Sequence, residues 1–304
     1  MNARALVVGE SLIDEVIESG GARRHPGGSP ANVALGLARL RVDTRFHTAI
    51  GDDHDGELIR GHLVSSGVQL TAESVTSAPT STATATLAAD GSATYQFALT
   101  WNPRPLDDLG APEVIHTGSL GALLEPGSRT VSDILQRGRA GGALITFDPN
   151  IRPTLLPDSR AARDRFTAVA VMSHITKLSD EDAEYLFPGR SLDYVADALL
   201  RAGVSIAAIT RGGNGAYLVS GSDRITVPPV ATSVADTVGA GDSFMAAMLW
   251  ALAFSGDGWD GGPVSSQRLE DVGATAARAA AITVSRHGAD LPALSDIESN
   301  RPAA

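Results

Sequence analysis

The 304-residue sequence contains no cysteine, a single lysine and only 5% aromatic residues. Without cysteine, disulfides, thiolate nucleophiles and Cys-based zinc sites are excluded. The lone lysine, Lys177, follows no glycine-rich loop, so there is no Walker A motif to cradle phosphates. No run of basic residues exceeds Arg23-Arg24, and the formal net charge is -11. The basic face that nucleic-acid binding requires is therefore missing. No apolar stretch reaches the ~18 residues of a membrane span, and the early "ALVVGES" reads as a strand rather than as a basic and apolar leader. These absences lead to the expectation of a cytoplasmic enzyme or binding protein whose partners are small molecules.

With 43% hydrophobic and 19% charged residues, the chain can bury a substantial core. Apolar runs suited to buried parallel strands lie at 5–9 (ALVVG), 113–119 (EVIHTGS), 143–148 (ALITFD), 174–179 (HITKLS) and 206–212 (IAAITRG). Segments of helical spacing separate them, which predicts a doubly wound, mostly parallel α/β sheet flanked by helices in a single domain over 1–304. Two stretches break this rhythm. Residues 80–99 alternate around Asp90-Gly91, a tight-hairpin dipeptide, and residues 12–28 alternate around Gly20-Gly21. Together they predict a small antiparallel β lid inserted in two pieces, about 12–27 and 79–101, that covers a cleft or mediates dimer contacts; a decorative edge hairpin is the alternative. The alanine-rich 265–288 reads as a long helix ending near Gly288.

The stretch "ADTVGAGDSFMAAMLWALA" (235–253) carries the chemistry. Gly239 and Gly241 permit a turn whose N–H groups converge, and the helix that follows adds its own unpaired N–H groups and positive dipole end. Asp242 falls in the first turn of that helix. A first-turn aspartate that merely complements the dipole is one reading. However, Phe244, Met245, Met248, Leu249, Trp250, Leu252 and Phe254 point in nearly every direction, so the helix body is predicted to be buried and Asp242 to face a cleft. There a carboxylate can take a proton from a hydroxyl while the amides stabilise charge on a transferred phosphoryl group. A dinucleotide fingerprint fits less well, because Phe244 replaces its third glycine.

"DTVGAGDSF" (236–244) closely resembles the C-terminal signature of the ribokinase-like sugar kinases, the PfkB carbohydrate kinase family, and "GGSPANVALGLARL" (27–40) resembles their N-terminal signature. "GESLIDE" (9–15), "IGDDHDGELI" (50–59), "HTGSL" (116–120), "DPNIRP" (148–153), "TRGGNGA" (210–216) and "SRHGAD" (285–290) follow in family order. The resemblance implies a ribokinase-like fold and transfer of phosphate from ATP to a sugar hydroxyl, with Mg2+ and often a monovalent cation such as K+. It implies that Asp242 is the base and that Gly239, Ala240 and Gly241 form the anion hole. Asp236 and Val238 match cation-holding positions, with Thr283, Arg286 and Gly288 as further carbonyl donors. A homodimer through the lid is common in the family.

On the sugar side, Asp14, Gly27, Gly28 and Asn32 match substrate-binding positions. Aspartate accepts from vicinal hydroxyls, asparagine both donates and accepts, and glycine lets backbone approach a ring. Alternatively, "GGSPAN" is a plain helix start, with Ser29 as N-cap and Pro30 at the first helical position. Asp148, Asn150 and Arg152 fall on one side of their segment if it stays extended; the fructokinase-like branch carries a matching arginine near the sugar or phosphate, and an Arg152–Asp148 salt bridge is the structural alternative. "KLSDEDAEYL" (177–186) matches the family's Asn-x-x-Glu element, with Ser179 in the asparagine position, and the resemblance implies that Lys177 and Ser179 lie on the ATP side. Asp182 stands where the family has a glutamate that orients hydrated Mg2+, with Glu181 and Glu184 as other acids able to take part; Ser179 with Asp182 also spells a capping box. Thr210, Arg211, Gly212 and Gly215 match the nucleotide loop, and Ala276 to Ala280 suit a flat adenine pocket.

The branch most resembled is that of fructokinases. A phosphorylated sugar would need extra basic groups, for which only Arg23, Arg24, His25 and Arg104 are available. The expected substrate is therefore an unphosphorylated ketose, D-fructose first, with 2-keto-3-deoxygluconate kinase or ribokinase as alternatives and a non-catalytic sugar or nucleotide sensor as a reading of another class.

Overall fold

The computed structural model describes residues 4–18, 21–87, 93–256 and 258–299. The chain runs from β1 (Ala5–Val8) through the hairpin β2 (Leu12–Glu18) and β3 (Gly21–Gly27) to α1 (Ser29–Arg39) and β4 (Thr44–His47). Next come β5 (Ile50–Gly51), α2 (His54–Ser65), β6 (Gln69–Leu70) and β7 (Val75–Thr76), then the second hairpin, β8 (Thr82–Leu87) and β9 (Ala93–Ala98). A regular alternation follows: β10 (Val114–Gly118), α3 (Ser119–Leu123), α4 (Gly127–Ala140), β11 (Leu144–Asp148), α5 (Ser159–Ala170), β12 (Ile175–Ser179), α6 (Asp180–Leu186), α7 (Leu192–Arg201) and β13 (Ile206–Thr210). The chain closes with β14 (Ala216–Ser220), β15 (Asp223–Val227), α8 (Ala240–Leu249), α9 (Ser266–Val284) and α10 (Leu294–Ser299).

Nine strands form the main sheet in the order β15-β14-β13-β12-β11-β10-β1-β4-β6, parallel from β13 to β6, with β14 pairing antiparallel to both β13 and the edge strand β15. Strand alternation divides the core. Ala5, Val7, Ile175, Ile206 and Ala208 pack beneath α1, α2, α8 and α9, while Leu6, Val8, Ile145, Phe147, Leu178 and Ile209 pack beneath α3 to α7. Every apolar run predicted as a strand is one, and the sheet is doubly wound as expected. The strand β4, "TRFH", has one apolar residue and no readable pattern, yet Thr44, Phe46 and His47 are fully buried. His47 is tolerated there because Thr71 and the Arg104 carbonyl meet its two ring nitrogens at 2.8 and 2.9 Å.

The lid is a four-stranded sheet in the order β3-β2-β8-β9, two antiparallel hairpins joined by the parallel pair β2 and β8. Its predicted turn residues Gly20 and Asp90-Gly91 lie outside the described residues. The alanine-rich helix α9 ends at Val284, four residues before the predicted Gly288. The helix α8 is buried from Asp242 to Leu249, as its all-round apolar character predicts. It lies against α1 at Gly36, where a Cβ would come within 2.7 Å of Ala246 Cβ. No helix among the described residues is long and apolar enough to cross a membrane.

Candidate active site

The C-terminal ends of the parallel strands and the N-terminus of α8 converge beneath the lid, where ligand sites in open α/β sheets form. Gly239 is the N-cap of α8 with φ 77°, the left-handed conformation the turn requires, and Asp242 lies in the helix's first turn. The Asp242 carboxylate is 7% exposed. Ser29 Oγ donates to its Oδ1 at 2.6 Å, and Asn32 Nδ2 donates to Oδ2 at 2.8 Å. Burial pushes its proton affinity above the ordinary carboxylate range; the two donors, and the charges of Lys177 and Arg152, act in the opposite direction.

Ser29 is thus not the helix cap its sequence context suggests. Gly28, with φ 106°, is the N-cap of α1, and its side-chain-free backbone passes so close to β1 that a Cβ would sit 2.7 Å from the Glu10 carbonyl. This close passage frees the Ser29 hydroxyl, in the first turn, to reach Asp242. Pro30, expected at the first helical position, is the second residue of α1, because the helix begins one residue earlier than expected, at Ser29. Asn32, expected on the substrate, meets Asp242 as well.

Asp14 on β2 faces the cleft from the lid, paired in register with His25 on β3. Its carboxylate lies so near Gly27 that a Cβ there would come within 2.0 Å of Oδ2, which is the local reason for glycine. Although open to the cleft, the group is ringed by its walls, and desolvation raises it from 3.8 to about 6 despite the nearby charges of Arg152 and His25. Glu10, which carries no pattern signal of its own, is 3% exposed two residues beyond the end of β1. It accepts from Gly121 N at 2.6 Å, and burial raises it from 4.5 to about 7. A carboxylate directly after the apolar run 5–9 was its only sequence signal.

The segment after β11 does not stay extended, because Asn150 adopts φ 36°. Asp148 consequently does not pair with Arg152. It binds Lys177 Nζ at 2.6 Å, with both side chains almost wholly buried. Arg152 is exposed, and its charge reaches Asp14, Glu10 and Asp242. Ser179 and Asp182 form the reciprocal capping box: Asp182 N donates to Ser179 Oγ and Ser179 N to Asp182 Oδ2, each at 2.9 Å, while Ile151 N donates to Asp182 Oδ1 at 2.8 Å. Both Asp182 oxygens therefore hold backbone. Glu184 accepts from Gly189 N, and Glu181 is exposed.

On the nucleotide side, Thr210 ends β13 and leads into Arg211 and Gly212. Arg211 Nη2 closes its own loop by donating to the Asn214 carbonyl at 2.8 Å. At Gly215, with φ 80°, a Cβ would lie 2.0 Å from the Val227 carbonyl. Of the small residues expected around adenine, Ala276 and Ala279 have no exposed surface and pack into the core, while Ala280 keeps partial exposure. Asp236 joins the turn to the segment after α9, accepting from Val238 N at 3.0 Å and Gly288 N at 2.9 Å, bonds that hold its proton affinity below the ordinary range. The Thr283 carbonyl accepts from Arg286 N, and the Gly288 carbonyl from Asp290 N, each at 2.9 Å; the Arg286 guanidinium turns to Asp296. Asp236, Val238 and Gly288 are thereby brought together, with the carbonyls of Thr283 and Arg286 at the adjoining end of α9. Among the described residues no group of three or more His, Asp or Glu side chains could cage a metal.

The pfkB family carbohydrate kinase profile matches residues 2–296. A fructokinase of Rhizobium leguminosarum bv. trifolii is 34% identical across 81% of this chain and 79% of its own length. Among solved structures, the ATP-bound fructokinase of Xylella fastidiosa superposes with a TM-score of 0.84 at 23% identity, covering 98% of both chains. A fructokinase double mutant of Vibrio cholerae O395, bound to fructose, ADP and potassium ion, superposes with a TM-score of 0.82 at 21% identity, covering 98% of this chain and 99% of its own. The sequence signatures, the ribokinase-like sheet with its lid and these similarities agree: the chain belongs to the pfkB family of carbohydrate kinases.

Proposed function

We propose that this kinase transfers the γ-phosphoryl group of ATP to a hydroxyl of an unphosphorylated ketose, D-fructose first. The observation that carries this reading is a buried Asp242 at the start of α8, beside the Gly239 turn, with both oxygens oriented by Ser29 and Asn32 from the sugar side. The substrate O–H gives its proton to Asp242 as its oxygen bonds to the γ-phosphorus. The bond from that phosphorus to the oxygen bridging to ADP breaks, and ADP leaves with that electron pair. The amides of Gly239, Ala240 and Gly241 stabilise the charge that develops, and the Arg152 cation at the cleft adds to this.

Asp14 holds vicinal hydroxyls, and Gly27 and Gly28 let backbone approach the ring. Asp14 faces the sugar end and Glu10 lies buried beside the Gly28 turn, while Arg24 is committed to Asp55 at 2.7 Å and Glu15 at 3.4 Å. A sugar phosphate would meet carboxylates there, which favours a neutral ketose. Mg2+ would come largely hydrated with the nucleotide and supply positive charge against its phosphates; the exposed Glu181 is the acid that would face its waters, since both Asp182 oxygens hold backbone. Asp236 and the carbonyls of Val238, Thr283, Arg286 and Gly288 would hold a monovalent cation behind the turn. Thr210, Arg211, Gly212 and Gly215 line the nucleotide side.

A coupled ADP-release assay across fructose, ribose, 2-keto-3-deoxygluconate, nucleosides and fructose 6-phosphate tests the substrate; the highest kcat/KM is expected for fructose. Asp242→Asn is expected to lower kcat at least ~1,000-fold while ATP binding, followed by calorimetry, stays within a few fold. Near-normal turnover by that variant would remove Asp242 from the role of base, and no turnover on any sugar would assign the fold a sensor's role.

A further inference from the structure

The only lysine of the chain is spent in the interior. Lys177 is 4% exposed at the end of β12, a position where an ammonium loses most of its hydration. Its Nζ donates to Asp148 Oδ2 at 2.6 Å, and the other oxygen, Asp148 Oδ1, has no hydrogen-bond partner among the described residues. A structural ion pair would have both oxygens satisfied, and an apolar pair of similar volume would serve packing as well or better. The location supplies another reason. Nζ lies 3.1 Å from where a Cβ on Gly241 would stand, directly beneath the residue that precedes Asp242.

The charged groups around the pair come from several elements: Asp242 from α8, Asp182 from α6, His116 from β10, and Arg152, which acts on Asp242 from the loop after β11. His116 is held neutral by burial, with Lys177 acting in the same direction. One buried ammonium therefore stands among three carboxylates, those of Asp148, Asp182 and Asp242. Burial works against the charge on Lys177, but the attraction of Asp148 and the other acids outweighs it, so the cation persists.

We propose that Lys177, anchored by Asp148 beneath Gly241, is a positioning residue that keeps Asp242 ionised and ready to take the substrate proton. It acts from under the turn, through Asp242, rather than by reaching the nucleotide. This deepens the reading of Asp242 as the base and rests on it.

The test is the pH dependence of kcat for three variants, each checked for folding by circular dichroism. An opposite charge lowers a neighbouring carboxyl's pKa, so its removal in Lys177→Met moves the acid limb of the profile to higher pH, by about one unit. Lys177→Arg keeps the charge and leaves the limb within a few tenths of a unit. Asp148→Asn frees the cation from its nearer partner and removes a competing negative charge, so the limb moves to lower pH. A folded Lys177→Met enzyme whose limb stays in place, with only a higher KM for ATP, would overturn the proposal in favour of a phosphate contact. If Lys177→Met does not fold, the double variant Lys177→Met/Asp148→Asn, which leaves neither partner buried and unpaired, decides: a limb above that of Asp148→Asn alone supports the proposal, and a limb equal to it overturns it. Activity of Asp242→Asn separates the two levels, because a dead Asp242→Asn beside unmoved limbs refutes the role of Lys177 alone, whereas an active one refutes the base itself.

Discussion

Glu10 couples the interior of the site to pH. Its proton is bound more tightly in the folded protein, with a pKa of about 7, than at its ordinary value of 4.5. For a group raised in this way, the stabilising contribution is complete below pH 4.5 and is lost as pH rises through 7. Glu10→Gln keeps an oxygen to accept from Gly121 N and removes the titration. Its stability at pH 8 is expected to exceed that of the parent by up to about 3 kcal/mol, with a flatter profile between pH 4.5 and 7. Chemical denaturation at pH 5, 6, 7 and 8 measures both, and parallel profiles for the two proteins would contradict this account.

The helices α1 and α8 form the mount of Asp242, the proton acceptor of the proposed reaction. Their backbones approach closely because Gly36 has no side chain; a Cβ there would lie 2.7 Å from both Ala246 Cβ and Leu291 Cδ2. Ala246 Cβ is fixed to the α8 backbone and cannot swing away, so Gly36→Ala must push the helices apart. Overpacking of this kind costs about 1–3 kcal/mol. Because Ser29 and Asn32 ride on α1, the same displacement loosens their hydrogen bonds to Asp242. Thermal unfolding of Gly36→Ala should show a lower Tm, and steady-state kinetics should show a fall in kcat that exceeds any change in the KM for ATP. Unchanged kcat at reduced Tm would separate helix packing from the aim of the carboxylate.

The lid brings Asp14 and His25 over the cleft and is tied to the body by a charged bridge from β3 to α2. Arg24 Nη2 lies 2.7 Å from Asp55 Oδ2, with side chains 35% and 18% exposed. Such a part-exposed pair contributes at most ~1 kcal/mol to folding. Its consequence is instead positional, because the pair ties β3 of the lid to α2 of the body. Asp55→Ala is expected to leave the Tm nearly unchanged and to raise the KM for the sugar severalfold, with the KM for ATP unaffected. Equal effects on both KM values would show that the bridge does not act through the lid.

Much of this molecule was legible locally. The apolar strands, the two lid hairpins, the buried α8 behind its glycine turn and the Ser179–Asp182 capping box each depend on residues a few positions apart, where periodicity and backbone preference operate. The burial of the α8 body followed from the same logic, since a helix apolar on every side has to be buried. By contrast, β4 was invisible because its burial is set by neighbours supplied by the sheet order, and α9 stops short of Gly288 because its last turn is capped by its own backbone at Ser285. The partners of the central charges were not legible either. Ser29 and Asp242 are 213 residues apart, Lys177 and Asp148 29 apart, and Glu10 and Gly121 111 apart. The sequence by itself determined which residues form the turn, the strands and the lid; only the tertiary structure decided which charge meets which donor, because desolvation and hydrogen bonding depend on what the sheet's crossovers bring into contact.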